Sequence, residues 1–398
     1  MKAPPFTCSR RRLLAGLGGL VRAAVAPEMP PGDTLVVVTL WGGFDGLTAL
    51  PPIGDVHYDQ TRPTIAVPSE LALPLDRLFG LHPALGALKP LWDQKRFAAV
   101  QAVDIPYPTR SHFQAQADLG QAAPGSSLRT GWLNRVLGTW PGADALRAVQ
   151  VGDSVLVSSL FGPEMVTTLW EVGSFRLDGE EWTGKVLPRT LSAMYRDVPS
   201  PEASAALDTL SACASLAPLA GVTYTPRAGV SYPAGGLSSA LQGVAQLLKA
   251  DLGVRIAAVD YGDWDFHADL GAAGSGAMAA MLGELGQSLA AFAADLGPDF
   301  ERVTVVTVSE FGRRVVENGS GGVDHGHGNA MLILGGKIHG GRVYGRWPSL
   351  APEDLDGGDL RATTDYRSVL GELLVRRCGV ASLESVFPRF TPSFLGLA

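Results

Sequence analysis

Residues 303–328, VTVVTVSEFGRRVVENGSGGVDHGHG, decide the fold class and hold the densest chemistry of the chain. The apolar, β-branched run Val303–Val308 is typical of a strand that is buried on both faces of a parallel sheet. Glu310 follows this run, and a glycine-rich loop then supplies one acid and two histidines, Asp324, His325 and His327. Because open α/β sheets bind ligands at the carboxyl ends of their strands, the stretch predicts a metal site at such an edge.

The rest of the chain alternates between strand and helix patterns. Further apolar runs predict strands at Thr34–Leu40, 96–103, 254–261 and 330–334. Apolar residues at helical spacing predict helices at 111–121, Ala277–Leu296 and 365–377. We expect Phe113, Ala117 and Leu119 to face inward, and Thr364 to cap the last helix. The alternation predicts an α/β fold, a mostly parallel sheet with helices on both faces.

The N-terminus has the pattern of a twin-arginine signal peptide. Ser9 precedes three arginines at positions 10–12, and a short glycine-rich apolar run follows. We therefore predict a leader at residues 1–26, recognition by the twin-arginine export machinery, and a periplasmic or secreted mature protein; the alternative is a basic tail. The apolar run is far below the roughly 20 residues that span a bilayer, which predicts no stable membrane insertion.

The composition predicts a large globular domain. The chain has 398 residues, of which 46% are hydrophobic, so it has enough apolar side chains for a large core. We assign residues 33–398 to one domain and interpret residues 150–235, where a Ser-, Ala- and Pro-rich composition breaks the pattern, as an inserted cap. Residues 1–26 hold five Lys/Arg and no acid, so without them the net charge changes from −7 to −12. That charge argues against nucleic acid and anionic membranes as partners.

Two motifs near the first strands could carry chemistry. In WGGFDG, directly after the first strand, glycines flank Asp45, which is either a crevice-facing ligand or a solvated turn residue. In TRSHF, Ser111 begins a predicted helix, so it is either an N-cap or a nucleophile activated by the helix N-terminus and a metal. Arg110 beside it is placed to pair with a phosphate or sulfate group.

Two later motifs supply candidate metal ligands. In GDWDFH, Asp265 and His267 follow a buried strand, and this mixture of oxygen and nitrogen donors suits zinc or manganese. The buried Glu310 needs a partner, which could be a metal or Arg313. In DHGHG the histidines alternate with glycine, so both rings are expected to turn toward one point; the alternative is an exposed polar loop.

Taken together, these motifs resemble a bacterial twin-arginine-exported family catalogued as domain of unknown function 1501, which is grouped with the alkaline phosphatase-like and sulfatase superfamily. In chain order the motifs are LWGGFDGL, RSHFQAQ, TGWLNR, GDWDFH, SEFGRR, GGVDHGHGNAMLILGG and TTDYRSVL, after the leader. The resemblance covers nearly the whole mature chain, roughly residues 34–374, and the SEFGR and DHGHG blocks are specific. The resemblance implies an alkaline phosphatase-like fold with two metals bridged by a nucleophilic hydroxyl.

The resemblance also implies roles for single residues. Asp45 would be the first-strand metal ligand and Ser111 the nucleophile. One metal would be held by Asp265 and His267, together with His325 or His327 from the DHGHG loop.

At Glu310 the sequence departs from the superfamily pattern, which has an Asp followed by a His. Here Phe311 takes the second position, so the second metal site lacks a histidine unless His112 or a loop histidine replaces it. Arg110 and Arg313 would be anion clamps.

The sequence thus predicts an exported metal-dependent hydrolase of phosphate or sulfate monoesters. It would use one or two divalent ions, zinc or manganese, and would act on a small anionic ester through a serine nucleophile. The alternative is a non-catalytic exported binding or assembly protein that retains a degenerate metal site. An NAD-type oxidoreductase finds no support, because no G-x-G-x-x-G follows the first strand.

Overall fold

The computed structural model describes residues 32–398, apart from 107, 143, 178 and 180–184. The predicted leader, residues 1–26, lies outside the described residues. The strands are β1 (Thr34–Leu40), β2 (Leu73–Pro74), β3 (Gly80–Leu81), β4 (Phe97–Asp104), β5 (Ala148–Val151), β6 (Thr167–Leu169), β7 (Ile256–Tyr261), β8 (Val303–Val308), β9 (Asn329–Gly335), β10 (Val343–Tyr344) and β11 (Thr364–Asp365). The α-helices are α1 (Gly46–Ala49), α2 (Tyr58–Thr61), α3 (Lys89–Asp93), α4 (His112–Gln121), α5 (Trp132–Gly138), α6 (Val186–Tyr195), α7 (Pro201–Leu216), α8 (Gly236–Lys249), α9 (Ala277–Leu296) and α10 (Tyr366–Arg376).

Nine of these strands form one sheet in the order β10-β4-β9-β8-β1-β7-β5-β6, with β11 also pairing with β4. Strand β1 runs parallel to both β7 and β8. Only β9 is antiparallel to its neighbours β4 and β8, so the other strands share one direction. The mostly parallel sheet is therefore confirmed, and the carboxyl ends of β1, β4, β7 and β8 lie at one edge.

Strand β9 runs against the others because of the loop before it. A parallel connection needs a crossover that carries the chain back along the sheet, usually in a helix. Residues 309–328 contain no helix, and they return to the edge where β8 ended. The same loop thus places Glu310 at one end of its path and the DHGHG motif at the other, both at the carboxyl edge.

Apolar side chains cover both faces of the sheet, because successive residues of a strand point to opposite faces. In β1, Val36 and Val38 face one core, which also contains the buried faces of α8 and α9. Leu35 and Val37 face the other core, to which α4, α5 and α10 contribute. Each such buried side chain stabilises the fold by about 1.5–3 kcal/mol. This packing holds the strands, and therefore the carboxyl edge of the sheet, in place.

Among the described residues one helical stretch, Ala277–Arg302, is long and apolar enough to cross a membrane. Over half of it is buried inside the protein, where α9 packs in the core that also contains Val36 and Val38.

Two details of the helices differ from the sequence predictions. Helix α4 begins at His112 and buries Ala115 and Leu119, whereas Phe113 is 90% exposed, so the inward orientation predicted for Phe113 is wrong. Helix α10 is capped by Asp365, whose carboxylate accepts from the Arg367 N–H, and not by Thr364. Asp and Thr are both favourable N-cap residues, so the pattern left the start uncertain by one position.

The predicted insertion, residues 150–235, begins inside the main sheet. Strands β5 and β6 both pair in parallel at its edge, so residues up to Leu169 belong to the sheet. Helices α6 and α7 follow, and α6 has no buried residue. That this later part acts as a substrate cap stays a prediction.

Candidate metal centre

Four potential metal ligands meet at the carboxyl edge of the sheet, on three different segments. His112 is the first residue of α4, Asp265 and His267 lie in the loop after β7, and His325 lies in the loop between β8 and β9. We call these four residues the three-histidine cluster. Their side chains are 21–45% exposed, so the cluster is open to solvent.

The donor atoms of the cluster converge on His325. Its Nε2 lies 3.1 Å from Nε2 of His112 and 3.0 Å from Nε2 of His267. Asp265 Oδ1 lies 3.0 Å from the same nitrogen and 3.2 Å from Nε2 of His267. Ligand atoms of His112, Asp265 and His325 all lie within 4.8 Å of one another, a spacing that can hold one metal ion.

The second nitrogen of each ring, Nδ1, faces a group that can only accept a hydrogen bond. The three acceptors lie 2.8 Å away and are Glu310 Oε1 for His112, Asp324 Oδ1 for His267, and the Arg110 carbonyl oxygen for His325. Each Nδ1 therefore carries the proton, and in a neutral ring the Nε2 atom is left with a lone pair. Partners that fix the tautomer in this way are typical of metal-bound histidines.

The tautomers make the cluster unfavourable without a cation. Asp265 Oδ1 accepts a hydrogen bond from Arg313, but the three nitrogen lone pairs beside it face one another with no hydrogen between them. Only an added proton or a metal ion can satisfy this arrangement. Imidazole nitrogen with a carboxylate oxygen is a donor set that zinc prefers, so the residues present fit a divalent metal.

Glu310, predicted as a metal ligand, instead orients His112. It is fully buried, and its Oε1 also accepts from the Gly42 N–H at 2.9 Å. Asp324, also predicted as a ligand, orients His267 in the same way and accepts from the Asn318 amide at 3.0 Å. Hydrogen bonds from His267 and Asn318 lower the pKa of Asp324, so it is charged at neutral pH.

Asp265 lies in the three-histidine cluster, and Arg313 donates to it and to several main-chain carbonyl oxygens. Partial burial would raise the pKa of Asp265, but the hydrogen bond and the positive charge of Arg313 outweigh it and lower that pKa to about 2. Arg313 is 1% exposed, and its guanidinium also donates to the carbonyl oxygens of Gly42, Gly43, Val323 and Trp264. Each nitrogen of Arg313 has a partner and the side chain is buried, so it is not accessible to a substrate anion.

Asp45, predicted as the first-strand metal ligand, is bound by an arginine. Arg62 donates to Asp45 Oδ2 at 2.5 Å and to Oδ1 at 3.0 Å, and Thr48 donates to Oδ2 at 2.6 Å. Burial would raise the pKa of Asp45, yet the charge and hydrogen bonds of Arg62 hold it below its usual value. Arg62 also donates to the carbonyl oxygens of Arg314 and Val315, so the pair fixes the loop after β8. Both carboxylate oxygens of Asp45 are thus used within the protein.

The two histidines of DHGHG separate, contrary to the expectation that they share one point. The N–H of Gly326 donates to the Gly312 carbonyl, and an isolated β-bridge pairs His325 with Arg313, which holds His325 in the cluster. A Cβ on Gly326 would lie 2.5 Å from the Arg313 main chain, so only glycine allows this approach.

His327 lies between two buried acids. Its Nδ1 is 3.8 Å from Asp104 Oδ2 and its Nε2 is 3.7 Å from Asp359 Oδ2, both beyond hydrogen-bond distance. Burial lowers the pKa of His327, which favours the neutral ring. Burial raises the pKa of Asp104 to about 7, although N–H groups of Gly328 and Ile105 donate to it.

Ser111 and Arg110 lie directly beside the cluster. Ser111 is the N-cap residue of α4 and is exposed, and its hydroxyl makes no cap hydrogen bond. Its neighbours are His112, a cluster member, and Arg110, whose carbonyl oxygen orients His325. The Arg110 side chain is 45% exposed and pairs with the fully buried Asp359.

Several residues of this region were not found by sequence reasoning. His112 was considered only as a replacement ligand, although its place next to Ser111 in RSHF was the available signal. Arg62, Asp104 and Asp359 lie in stretches without a motif, and long-range pairing of that kind leaves no local pattern.

Comparison with known proteins gives one family and several remote structures. The family model described as "Protein of unknown function (DUF1501)" matches residues 82–370. No curated protein matches the sequence. The zinc complex of the C-terminal periplasmic domain of EcEptC from Escherichia coli is 8% identical with a TM-score of 0.37, covering 78% of this chain and 77% of that one.

Two further structures are similarly distant. Ps i-CgsB in complex with k-i-k-neocarrahexaose is 10% identical, with a TM-score of 0.39 and coverage of 89% of this chain and 74% of that chain. The PsFucS1 sulfatase from Pseudoalteromonas sp. is 10% identical, with a TM-score of 0.33, and the match covers 79% of this chain and 64% of the sulfatase. Likeness at these scores is too weak to assign an activity.

Proposed function

The chain belongs to the DUF1501 family of proteins of unknown function, and we propose that it is an exported, metal-dependent hydrolase of phosphate or sulfate monoesters. The observation that carries the proposal is the convergence of three Nε2 lone pairs and the Asp265 carboxylate at the carboxyl edge of the sheet. Each ring is held in the required tautomer by its own acceptor, so the site is prepared for a cation.

We propose that the site holds one zinc or manganese ion. His112, Asp265 and His325 are the three ligands, with His267 beside them, and a three-ligand site leaves a coordination position for a substrate oxygen. When bound, the ion would supply positive charge to the reacting oxygens and lower the pKa of a hydroxyl or water. Asp45, Glu310, Asp324 and His327 are not ligands in this proposal, because each has the other contacts described above.

Ser111 is the proposed nucleophile. Its exposed hydroxyl starts α4, where the unsatisfied N–H groups of a helix favour negative charge. Attack by Oγ would form a bond to phosphorus or sulfur, the ester bond to the leaving alcohol would break, and that alcohol would take up a proton. Water would then release phosphate or sulfate from the serine.

One observation favours a second candidate, a non-catalytic binding or assembly protein. At the position where the resemblance implies the first-strand metal ligand, Asp45 is fully paired with Arg62. A site with one ion could bind an anionic ligand without turnover. The exposed Ser111 hydroxyl favours the hydrolase, since a binding protein has no need of it.

The proposal is tested by hydrolysis assays on the protein loaded with zinc or with manganese. We expect metal-dependent cleavage of p-nitrophenyl phosphate or p-nitrophenyl sulfate, and a loss of about 1,000-fold or more in Ser111→Ala. Ser69→Ala, another exposed serine, is the matched control and should match the wild type. Equal activity in Ser111→Ala would contradict the serine nucleophile. Tight metal binding with no cleavage of any ester in a broad panel would favour the binding protein.

A further inference from the structure

Two arginines beside the three-histidine cluster share one buried acid. Arg110 Nη2 pairs with Asp359 Oδ2, and Arg314 Nη1 lies 3.3 Å from Asp359 Oδ1. Asp359 is fully buried, and its carboxylate lies within ion-pair distance of both guanidinium groups, while its Oδ1 accepts no hydrogen bond from the described residues. Nothing in the sequence connects these residues, which lie in three separate segments.

The main chains of both arginines are tied to the residues that orient the cluster. The Arg110 carbonyl oxygen accepts the hydrogen bond from His325 Nδ1 at 2.8 Å. The Arg314 N–H donates to the carbonyl oxygen of Asp324 at 2.9 Å, and the Asp324 carboxylate orients His267. Both arginines therefore belong to the same short segments as the candidate ligands, at the carboxyl edge of the sheet.

Both guanidinium groups keep free donors. Arg110 is 45% exposed, and only its Nη2 has a partner among the described residues. Arg314 is 36% exposed, and only its Nη1 is used, by Asp359 and the Gly357 carbonyl oxygen. Arg313, by contrast, is buried with all its nitrogens occupied. The exposed arginines are thus available to an incoming group, whereas Arg313 is not.

We propose that Arg110 and Arg314, positioned by Asp359, form the subsite that binds the non-bridging oxygens of a phosphate or sulfate group. A guanidinium presents parallel N–H donors that match such oxygens, and two of them beside a metal ion would surround a tetrahedral anion. Asp359 holds both side chains in place before the anion arrives, which reduces the entropy lost on binding. The inference rests on the proposed function and adds Arg314 and Asp359 to it.

Titration calorimetry with inorganic phosphate and, separately, inorganic sulfate tests the subsite on the metal-loaded protein. We expect Arg110→Gln and Arg314→Gln each to weaken anion binding about 10- to 100-fold, with unchanged metal content. Arg314→Lys, which keeps the charge but loses the fork, should also bind less tightly than the wild type. Arg361→Gln removes a nearby exposed arginine as the charge-matched control and should have no effect.

The outcomes separate this subsite from the proposed function. Metal binding and anion binding that are both unaffected by the Arg314 substitutions would overturn the subsite and leave the hydrolase intact. Absence of metal from the wild type would overturn the hydrolase; the same titrations on that protein would still test the arginine pair. The stronger of the phosphate and sulfate signals identifies the ester class, and no binding of either anion would overturn the subsite.

Discussion

His325 and His327 stand two residues apart in one motif, yet they lie in contrasting regions at the same edge of the sheet. Around His325, three imidazole lone pairs and a half-exposed carboxylate converge, and each Nδ1 has an acceptor. Around His327, two buried acids lie too far for a hydrogen bond, and Arg110 and Arg314 already pair with one of them. The regions differ in two respects that matter for a candidate metal site. Nitrogen lone pairs converge only around His325, and Arg313 donates there to Asp265 Oδ1 while Oδ2 faces His112 at 3.5 Å.

Asp45 and Asp265 repeat this contrast in the loops after neighbouring strands β1 and β7. Asp45 is 2% exposed with both oxygens bound by Arg62, whereas the Asp265 side chain is 44% exposed and its ion pair with Arg313 is made through Oδ1. The first is a structural ion pair and the second is a candidate ligand. The following experiments separate the two kinds of acid.

The largest expected effect is on stability and comes from Arg62→Met. Removal of one partner from a buried pair leaves an uncompensated charge, which costs about 3–5 kcal/mol of unfolding free energy. Asp324→Asn, which changes an exposed carboxylate in the other region, should cost less than about 1 kcal/mol in the metal-free protein. Urea unfolding of the two variants measures the difference. Similar losses for both would mean that the Asp45 pair does not have the structural role assigned to it.

The next effect is on metal affinity and comes from Glu310→Gln. Loss of the carboxylate that orients a ligating histidine typically weakens metal binding by about 10- to 100-fold. Asp324→Asn should weaken it less, because Asp324 is 56% exposed while Glu310 is fully buried. Competition with a chromophoric zinc chelator gives both affinities. If neither substitution changes the affinity, the histidines are not held by these partners.

The smallest effect concerns the region of His327, through the pH dependence of stability. The pKa of Asp104 is raised to about 7, so the folded protein binds this proton more tightly than the unfolded chain. Its contribution stabilises the fold at low pH and is lost as pH rises through about 7. Between pH 6 and 8 the wild type should lose about 1–2 kcal/mol more than Asp104→Asn. Parallel stability curves from urea unfolding at four pH values would contradict this.

Much of the fold could be predicted from the sequence because its signals are local. The apolar runs of β1, β4, β7 and β8 show where the strands lie, and parallel strands bring their carboxyl ends to one edge. The antiparallel direction of β9 could not be predicted. No pattern in residues 309–328 indicates whether the chain crosses to the other end of the sheet or returns at the same edge.

For the candidate site, the sequence predicted which segments contribute residues but not the role of each residue. Asp265, His267 and His325 stand in short motifs after strands, and the structure brings them together. Whether a residue of the site is a candidate ligand or orients a histidine depends on where its side chain points in the folded protein. The positions of Glu310 and Asp324 in the sequence do not give that orientation. The capture of Asp45 by Arg62 was also hidden, since an arginine 17 residues away in a loop gives no signal.

Metal stoichiometry, by elemental mass spectrometry on the purified protein, tests the central contrast most directly. His325→Ala and His327→Ala form a matched pair from one motif. We predict about one tightly bound zinc or manganese ion in the wild type and in His327→Ala, and none in His325→Ala. Retention of the metal in His325→Ala, or its loss in His327→Ala alone, would contradict the assignment of the three-histidine cluster as the metal centre.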